Sequence, residues 1–426
     1  MLRHIVTGLS PEDVDFLSER HGMPPAMPLP WVKGLFAGSD DHSGLNIARS
    51  HTATDGPIGV RPFLDAVAHG RALPCGRPAT PRTMAYNLYS IAYQFYSHKL
   101  GLGRFVGRDL LLRFVDRALT LEDNEARGVR AKLRGLAAHL RAASVRRSTP
   151  RTLDGLLQKE ALSIVTGDER LLANFTGLRH APWETENDWF DFVEQAAQRI
   201  LRHFADRVLD GFSGANLLDV FHALGSAGAC YTLLAPYYVA YALFTKDRAF
   251  CRTCRDRFAG RGGQTAPRRP MRIALFADDF FGDQDPVAGL RGQLAALAGE
   301  GRDAVLLTCG PDREPAGEGS KAFAPVGAYE LPDCPGLTLH YPPLLKIADY
   351  CYNQGFTHVL AASPGPMGLA ALAVSRMLGL PLHGVFREAL PQAVDRLTGD
   401  PGMAEAVWRY LDRKSTRLNS SHTDIS

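Results

Sequence analysis

Cysteine is scarce in this chain and forms no framework. The seven thiols among 426 residues are scattered, and an odd, dispersed set fits a reducing compartment better than a disulfide-stapled fold. The one close pair, Cys251 and Cys254 in CRTC, has no second pair or matched histidines to complete a zinc tetrahedron. It reads as two thiols near a helix end. A leader is not evident either, since MLRHIVTGLSPEDVDFLSER has no apolar h-region. Concentrated positive charge is also missing. The net charge is +3, and dispersed Lys and Arg do not make the basic face that nucleic acid requires. RAASVRR and RDRFAGRGGQTAPRRP read as solvated helix ends and a linker, so no nucleic-acid partner is expected. One long uncharged run, Phe221 to Thr245, could span a bilayer by length. GSAG and Pro236 interrupt it, and its tyrosines are spread through it instead of forming two belts. A buried helix pair is expected there, with peripheral membrane contact as the alternative.

What is present is ordinary for a globular protein: 45% hydrophobic and 22% charged residues. At this length about two to four domains are expected. Residues 1–75 open with LSPEDVDFLSERHG, a helix with Ser10 as N-cap and Asp13 three residues on, a form of the capping box. Residues 76–266 read as helical. In NDWFDFVEQAAQRILRHFADRVL, Trp189, Val193, Ala196, Ile200, Phe204 and Val208 fall on one face at helical spacing. YNLYSIAYQFYSHKL and RDLLLRFVDRAL behave similarly, and their aromatics read as core. GRGGQTAPRRP is the linker to the next zone.

From residue 271 the pattern changes. MRIALFAD is a buried strand, LRGQLAALAGEG a helix closed by Gly301, and DAVLLTC a second strand. THVLAAS leads through PGPMG into the helix LAALAVSRMLG and on to the strand PLHGVF. This is βαβ spacing, so residues 271–411 are expected to form a doubly wound parallel sheet. In AASPGPMGLAALA, Gly365 lets backbone approach a ligand and Pro366 suits the first turn of a helix. The helix N-terminus behind them would offer N–H groups to an anion at the carboxyl ends of the strands. A plain strand-to-helix turn explains the same residues equally well.

MRIALFADDFF, FAPVGAYELPDCPGLTLHYPP, THVLAASPGPMGLAALAVSRMLGLPLHGVF and LPQAVDRLTGDPGMAEAVWRY, in that order, closely resemble the N-terminal half of a family 4 glycosyltransferase. The resemblance covers nearly all of residues 271–411. It implies one of two Rossmann-like domains that face each other across a cleft in the GT-B arrangement. The half present would be the acceptor side. Asp279, Gly365, Pro366 and Arg387 become its candidate substrate-binding residues, and Arg387 is the cleft candidate, the catalytic residues themselves being undefined. Two departures stand out. Asp285-Pro286-Val287 takes the place of the family's Asn-Gly-Val loop. Arg387 and Glu388 follow Phe386 where the family has Tyr-His-Thr, so a guanidinium, a fork donor for phosphate, replaces a neutral imidazole.

GLFAGSDDHSGLNIARSHT, from Gly34 to Thr52, puts Asp40, Asp41 and His42 side by side. GSDDH resembles the late metal-binding motif of the polymerase-and-histidinol-phosphatase (PHP) superfamily. By that motif Asp40 and His42 would be ligands for a divalent metal, zinc or manganese, and Asp41 would hold a variable place. A carboxylate and an imidazole two residues apart can reach one metal. The family's earlier His-x-His motifs are absent, so the stretch resembles the remnant of such a barrel. A group of bacterial proteins joins a PHP-like domain, a helical stretch and a family 4 glycosyltransferase. This chain resembles the middle of one.

The expected architecture is therefore α/β plus α: a PHP-like remnant in 1–75, a helical region in 76–266 and one Rossmann-like domain in 271–411. Back-translated in one frame, Asp412 to His422 resembles a sequencing adapter, and 412–426 is set aside as an artefact. The expected activity of the full-length protein is transfer of a hexose from a nucleotide sugar to a lipid or polysaccharide acceptor, without a metal cofactor. It is expected in the cytoplasm, with peripheral contact at the inner membrane. The fragment is expected to be inactive alone. The alternatives are a metal-dependent phosphoesterase remnant and a non-catalytic helical scaffold.

Overall fold

The computed structural model describes residues 8–56, 58–106, 109–120, 153–168, 171, 182–213, 217–257, 271–278, 303–310, 319–330, 338–362 and 365–384. The chain divides into two compact units. One is Met1–Phe192 with Val239–Arg269, and the other is Val193–Tyr238 with Pro270–Ser426.

The first unit begins with α1 (Pro11–His21), whose capping box forms as its sequence implies. Asp13 N–H donates to Ser10 Oγ, and Ser10 N–H donates to the Asp13 carboxylate, each at 3.1 Å. A small antiparallel pair follows, β1 (Ser50–Thr54) and β2 (Ala72–Gly76), bridged by α2 (Val60–Ala68). Then come α3 (Pro81–Leu100), α4 (Gly103–Val106), α5 (Leu110–Leu119) and α6 (Leu153–Gly167). α3 starts with the same chemistry as α1: a Thr80–Thr83 capping box with Pro81 inside the first turn.

Two long helices carry the middle of the chain, α7 (Pro182–Ser213) and α8 (Leu217–Arg257). On α7, Trp189, Val193, Ala196 and Ile200 are all buried, as their spacing predicts. The side chains of Phe204 and Val208 lie outside the described residues. In the first unit Trp189 and Phe192 meet Phe114 of α5 and Tyr89 of α3, with ring centroids 4.6 to 6.0 Å apart. Those edge-on and offset contacts add to the burial of large apolar rings.

The run from Phe221 to Thr245 differs from expectation. It lies in one continuous helix of 41 residues with Pro236 inside it, not in a helix pair. Proline removes one N–H, here the one that would reach the carbonyl of Thr232, and crowds that turn. The loss is local, and Leu234, Tyr237, Ala240 and Tyr241 around it are almost wholly buried. Packing outweighs the lost bond. No helix among the described residues is long and apolar enough to cross a membrane.

The second unit holds the parallel sheet. Its strands are β3 (Arg272–Phe276), β4 (Asp303–Cys309), β5 (Ser320–Phe323), β8 (His358–Ala361) and β9 (Leu382–Gly384). They lie in the spatial order β5-β4-β3-β8-β9, and every pairing is parallel. Numbered within the sheet, this is the 3-2-1-4-5 order of a doubly wound fold, reversing direction between β3 and β8. β3 is central, and Ala274, Leu275 and Phe276 are at most 3% exposed, which is why its sequence is a continuous apolar run. A separate antiparallel hairpin, β6 (Gly327–Glu330) with β7 (Thr338–Tyr341), leads to α9 (Leu344–Gln354) ahead of β8. α10 (Pro366–Leu378) connects β8 to β9 and ends at Gly379, whose φ of 57° suits glycine. The expected helix LRGQLAALAGEG, the linker and the tail lie outside the described residues.

Two expectations follow. Gly76 has φ 97°, and a Cβ there would sit 2.1 Å from the carbonyl oxygen of Arg49. Gly76→Ala should lower stability by roughly 1–3 kcal/mol, seen as a drop in Tm. In the sheet, the rings of His358 and His383 stack with centroids 6.1 Å apart. Burial first, then the neighbouring His383, lowers the His358 pKa from its ordinary 6.5. The folded state thus binds fewer protons than the unfolded one. Stability from this ring is present above about pH 6.5 and is lost as pH falls through the lowered value. Denaturant unfolding from pH 7.5 to 5 should show an acid loss that is smaller in His358→Gln.

Candidate functional site at the sheet switch point

The strand order reverses between the paired strands β3 and β8, and at such a point a doubly wound sheet opens a crevice. Leu275 and Ala277 from β3 and its extension, Leu306 from β4, and Ala362 after β8 form one buried apolar cluster with Leu360 against it. The backbone continues the ladder past the strand ends. Ala277 N–H donates to the Leu307 carbonyl at 3.1 Å, and Ala362 N–H donates to that of Phe276 at 2.8 Å.

Gly365 and Pro366 stand at this edge, as N-cap and first residue of α10. Gly365 has no side chain to cap the helix. The cap comes from β3 instead: Met367 N–H donates to Asp278 Oδ1 at 2.8 Å. A carboxylate at a helix N-terminus accepts a charge-assisted hydrogen bond and complements the helix dipole. The first turn has few other donors. Pro366 has no N–H, and Leu369 N–H already closes onto the Gly365 carbonyl at 3.0 Å. The anion-binding turn expected from the sequence thus already has an anion of its own.

Asp278 also acts on its neighbour across the sheet. Cys309 ends β4, is 3% exposed, and its Sγ lies 3.8 Å from the Tyr341 carbonyl. Burial, and after it the negative charge of Asp278, pushes its thiol pKa up to about 12. Cys309 is therefore a protonated, inert thiol at neutral pH, not a nucleophile. The adjacent Asp279 and also Arg387 lie outside the described residues.

In the first unit, Asp40 and His42 approach one another, with His42 Nε2 3.7 Å from Asp40 Oδ1. Both point into solvent, 96% and 79% exposed respectively. Asp40 sits at φ 48°, a left-handed conformation that Asp tolerates better than most residues. Among the described residues no three His, Cys, Asp or Glu side chains gather as a metal-binding group. Two ligands alone do not fit a closed site, and no chemical step is derived through a metal here.

Asp41 between them faces inward. Its carboxylate accepts from Ser43 N–H at 3.1 Å, Ser43 Oγ at 2.6 Å and Asn46 N–H at 3.0 Å. Asn46 Nδ2 donates to Asn87 Oδ1 on α3 at 2.6 Å, and Ser43 Oγ, whose proton is directed at Asp41, lies 3.1 Å from the same oxygen. Arg49 Nη1 then donates to Asn46 Oδ1 at 3.2 Å and to Glu186 Oε2 of α7 at 2.7 Å. The Thr80 and Thr83 hydroxyls complete Glu186, which is 5% exposed. Gln94 Nε2 adds a bond to the Ser43 carbonyl at 2.8 Å. The DDHSGLN loop is thereby fixed to helices that the sequence assigns to another zone.

Sequence reasoning missed Asp278, Asp41 and this network. The Asp41-x-Ser43 spacing does signal an Asx-type turn. The residues it meets, Asn87 and Glu186, are remote in sequence.

Compared with protein-family models, curated proteins and solved structures, the chain matches none. The parallel sheet and its switch point are what the fold itself defines.

Asp41→Ala should cost roughly 1–3 kcal/mol through the unsatisfied groups it leaves, whereas His42→Ala, at an exposed side chain, should stay within about 0.5 kcal/mol of wild type. Denaturant titration of both variants checks this, and equal effects would contradict the assignment.

Proposed function

We propose that residues 271–411 are the acceptor-side half of a retaining glycosyltransferase that moves a sugar from a nucleotide-sugar donor to a lipid or polysaccharide acceptor. The observation that supports this most is the parallel sheet in 3-2-1-4-5 order, with Gly365 and Pro366 entering α10 at its switch point. Two of the stretches that resemble family 4, MRIALFAD and THVLAASPGPMGLAALAVSRMLGLPLHG, belong to β3 and to β8, α10 and β9. In this reading the edge at Gly365 and Pro366 receives the acceptor, and the family resemblance assigns Asp279 and Arg387 to substrate binding. Such transfer uses no metal. Basic side chains and helix N-termini on the facing donor-side half would stabilise the departing diphosphate. The proposed place of action is the cytoplasm, with peripheral contact at the inner membrane.

A second reading, a metal-dependent phosphoesterase remnant, draws on the 3.7 Å approach of Asp40 and His42. It is the weaker one, because Asp41, not that pair, is tied into the surrounding structure.

Saturation-transfer NMR with the purified chain tests the main reading. Oligosaccharide and lipid-linked glycan acceptors should receive saturation and shift the amides of Gly365 and Met367. Nucleotide sugars should give no comparable effect. With labelled nucleotide sugars and lipid acceptors together, the chain should give no product, because its motifs match one wall of the cleft. A panel in which no glycan binds, or turnover abolished by Arg387→Ala, would overturn this account.

A further inference from the structure

We infer that the C-terminal half of α3, with the turn and short helix that follow it, is a docking surface for an anionic lipid bilayer. The inference gives the proposed peripheral contact a surface of its own and does not rest on the sugar-transfer reading.

Helix α3 buries hydroxyls and exposes apolar side chains, the reverse of a helix whose outer side meets only water. Its inward side is tied down by hydrogen bonds. Ser90 Oγ donates to the Leu119 carbonyl at 2.7 Å, and Tyr86 Oη donates to the Ala118 carbonyl. Tyr93 Oη donates to Asp116 Oδ1 at 2.9 Å, and Thr83 Oγ1 to Glu186 Oε1 at 3.2 Å. At about 100° per residue, Thr83, Tyr86 and Ser90 share one side of the helix. Phe95, Tyr96 and Lys99 lie on the other, with Ile91 and Leu100 at its margins. Phe95, Tyr96 and Leu100 are 54 to 59% exposed, Ile91 is 39%, and Phe105 of α4 is 40%. Phe95 and Tyr96 meet edge to face, with centroids 5.3 Å apart, and present one apolar block. Turning these residues inward would orphan the buried hydroxyls, so their exposure is fixed by the packing of the opposite side.

The charge of this region names the occupant. No Asp or Glu occurs from residue 66 to residue 108, a stretch that carries Arg71, Arg77, Arg82, Lys99, Arg104 and Arg108. Two of these cations accompany the exposed rings. Lys99 Nζ lies 5.7 Å from the centre of the Phe95 ring, and the Arg104 guanidinium 4.8 Å from that of Phe105. Aromatic and aliphatic side chains interleaved with long-stemmed cations suit the boundary between headgroups and acyl chains. The apolar groups enter it and the cations meet lipid phosphates. A second copy of the chain fits this face less well. A two-fold contact over it would bring Lys99 towards its own counterpart, with no acid in the stretch to offset the repulsion.

Flotation of the full chain with phosphatidylcholine vesicles, with and without phosphatidylglycerol, tests the inference. Wild type should float with the anionic vesicles, release as salt rises, and bind the neutral ones only weakly. Phe95→Ser with Leu100→Ser should weaken partitioning into anionic vesicles at least about ten-fold. Lys99→Gln with Arg104→Gln should weaken it by roughly ten-fold and leave the weak binding to neutral vesicles unchanged. All four side chains are exposed, so both variants should keep the wild-type Tm. Failure of wild type to float with anionic vesicles overturns the inference, as does wild-type affinity retained in either variant. A dimer in light scattering that Phe95→Ser with Leu100→Ser dissociates also overturns it, by assigning the face to a second copy. The charge variant decides the matter even if the serine variant does not fold. Vesicle binding is read without glycan or nucleotide sugar, so it can fail while glycan binding stands, and the reverse.

Discussion

The hydrogen bond from Met367 N–H to the Asp278 carboxylate joins the first strand of the parallel sheet to the helix that leaves its fourth. Leu275, Ala277, Leu306 and Ala362 form one buried apolar cluster on the same strands and their ends. Helix α10 needs a cap there because Gly365 offers none and Pro366 adds no donor. The strand needs its last polar residue satisfied as the chain leaves the sheet. This bond contributes to both requirements, and the same carboxylate, after burial, helps to raise the pKa of the Cys309 thiol.

The first unit is organised by the same kind of contact. Glu186 takes Arg49 and two threonine hydroxyls, and Asn87 takes Asn46. The Arg49–Glu186 pair is well buried, with side chains 14% and 6% exposed. Such a pair adds little net stability relative to apolar packing, but leaving one partner alone is costly. Its consequence is specificity of arrangement. The loop carrying Asp40 and His42 is held by Asp41 in one register, with those two side chains left in solvent.

The sheet was legible in the sequence because a parallel strand covered on both faces must be a continuous apolar run. IALF after Arg272 and AVLL after Asp303 meet that demand, and VLAA follows His358 in β8. The capping of α1 was legible because it is local, involving residues three apart. Long-range polar choices were not. Of the neighbouring Asp278 and Asp279, periodicity favours neither, and the reason Asp278 matters lies on α10. In DDH, motif resemblance drew attention to the outer pair, while the residue between them forms the network. The continuous α8 was hidden by Pro236, which reads as a break until the burial of Tyr237 and Tyr241 is known.

Hydrogen exchange at the Met367 amide addresses the central contact most directly. If Asp278 caps α10 as described, this amide exchanges slowly in the wild-type chain. It should stay protected in Asp278→Asn and exchange much faster in Asp278→Ala, with the protection of β3 unchanged. Rapid exchange of Met367 in the wild type, or protection indifferent to Asp278→Ala, would contradict the account.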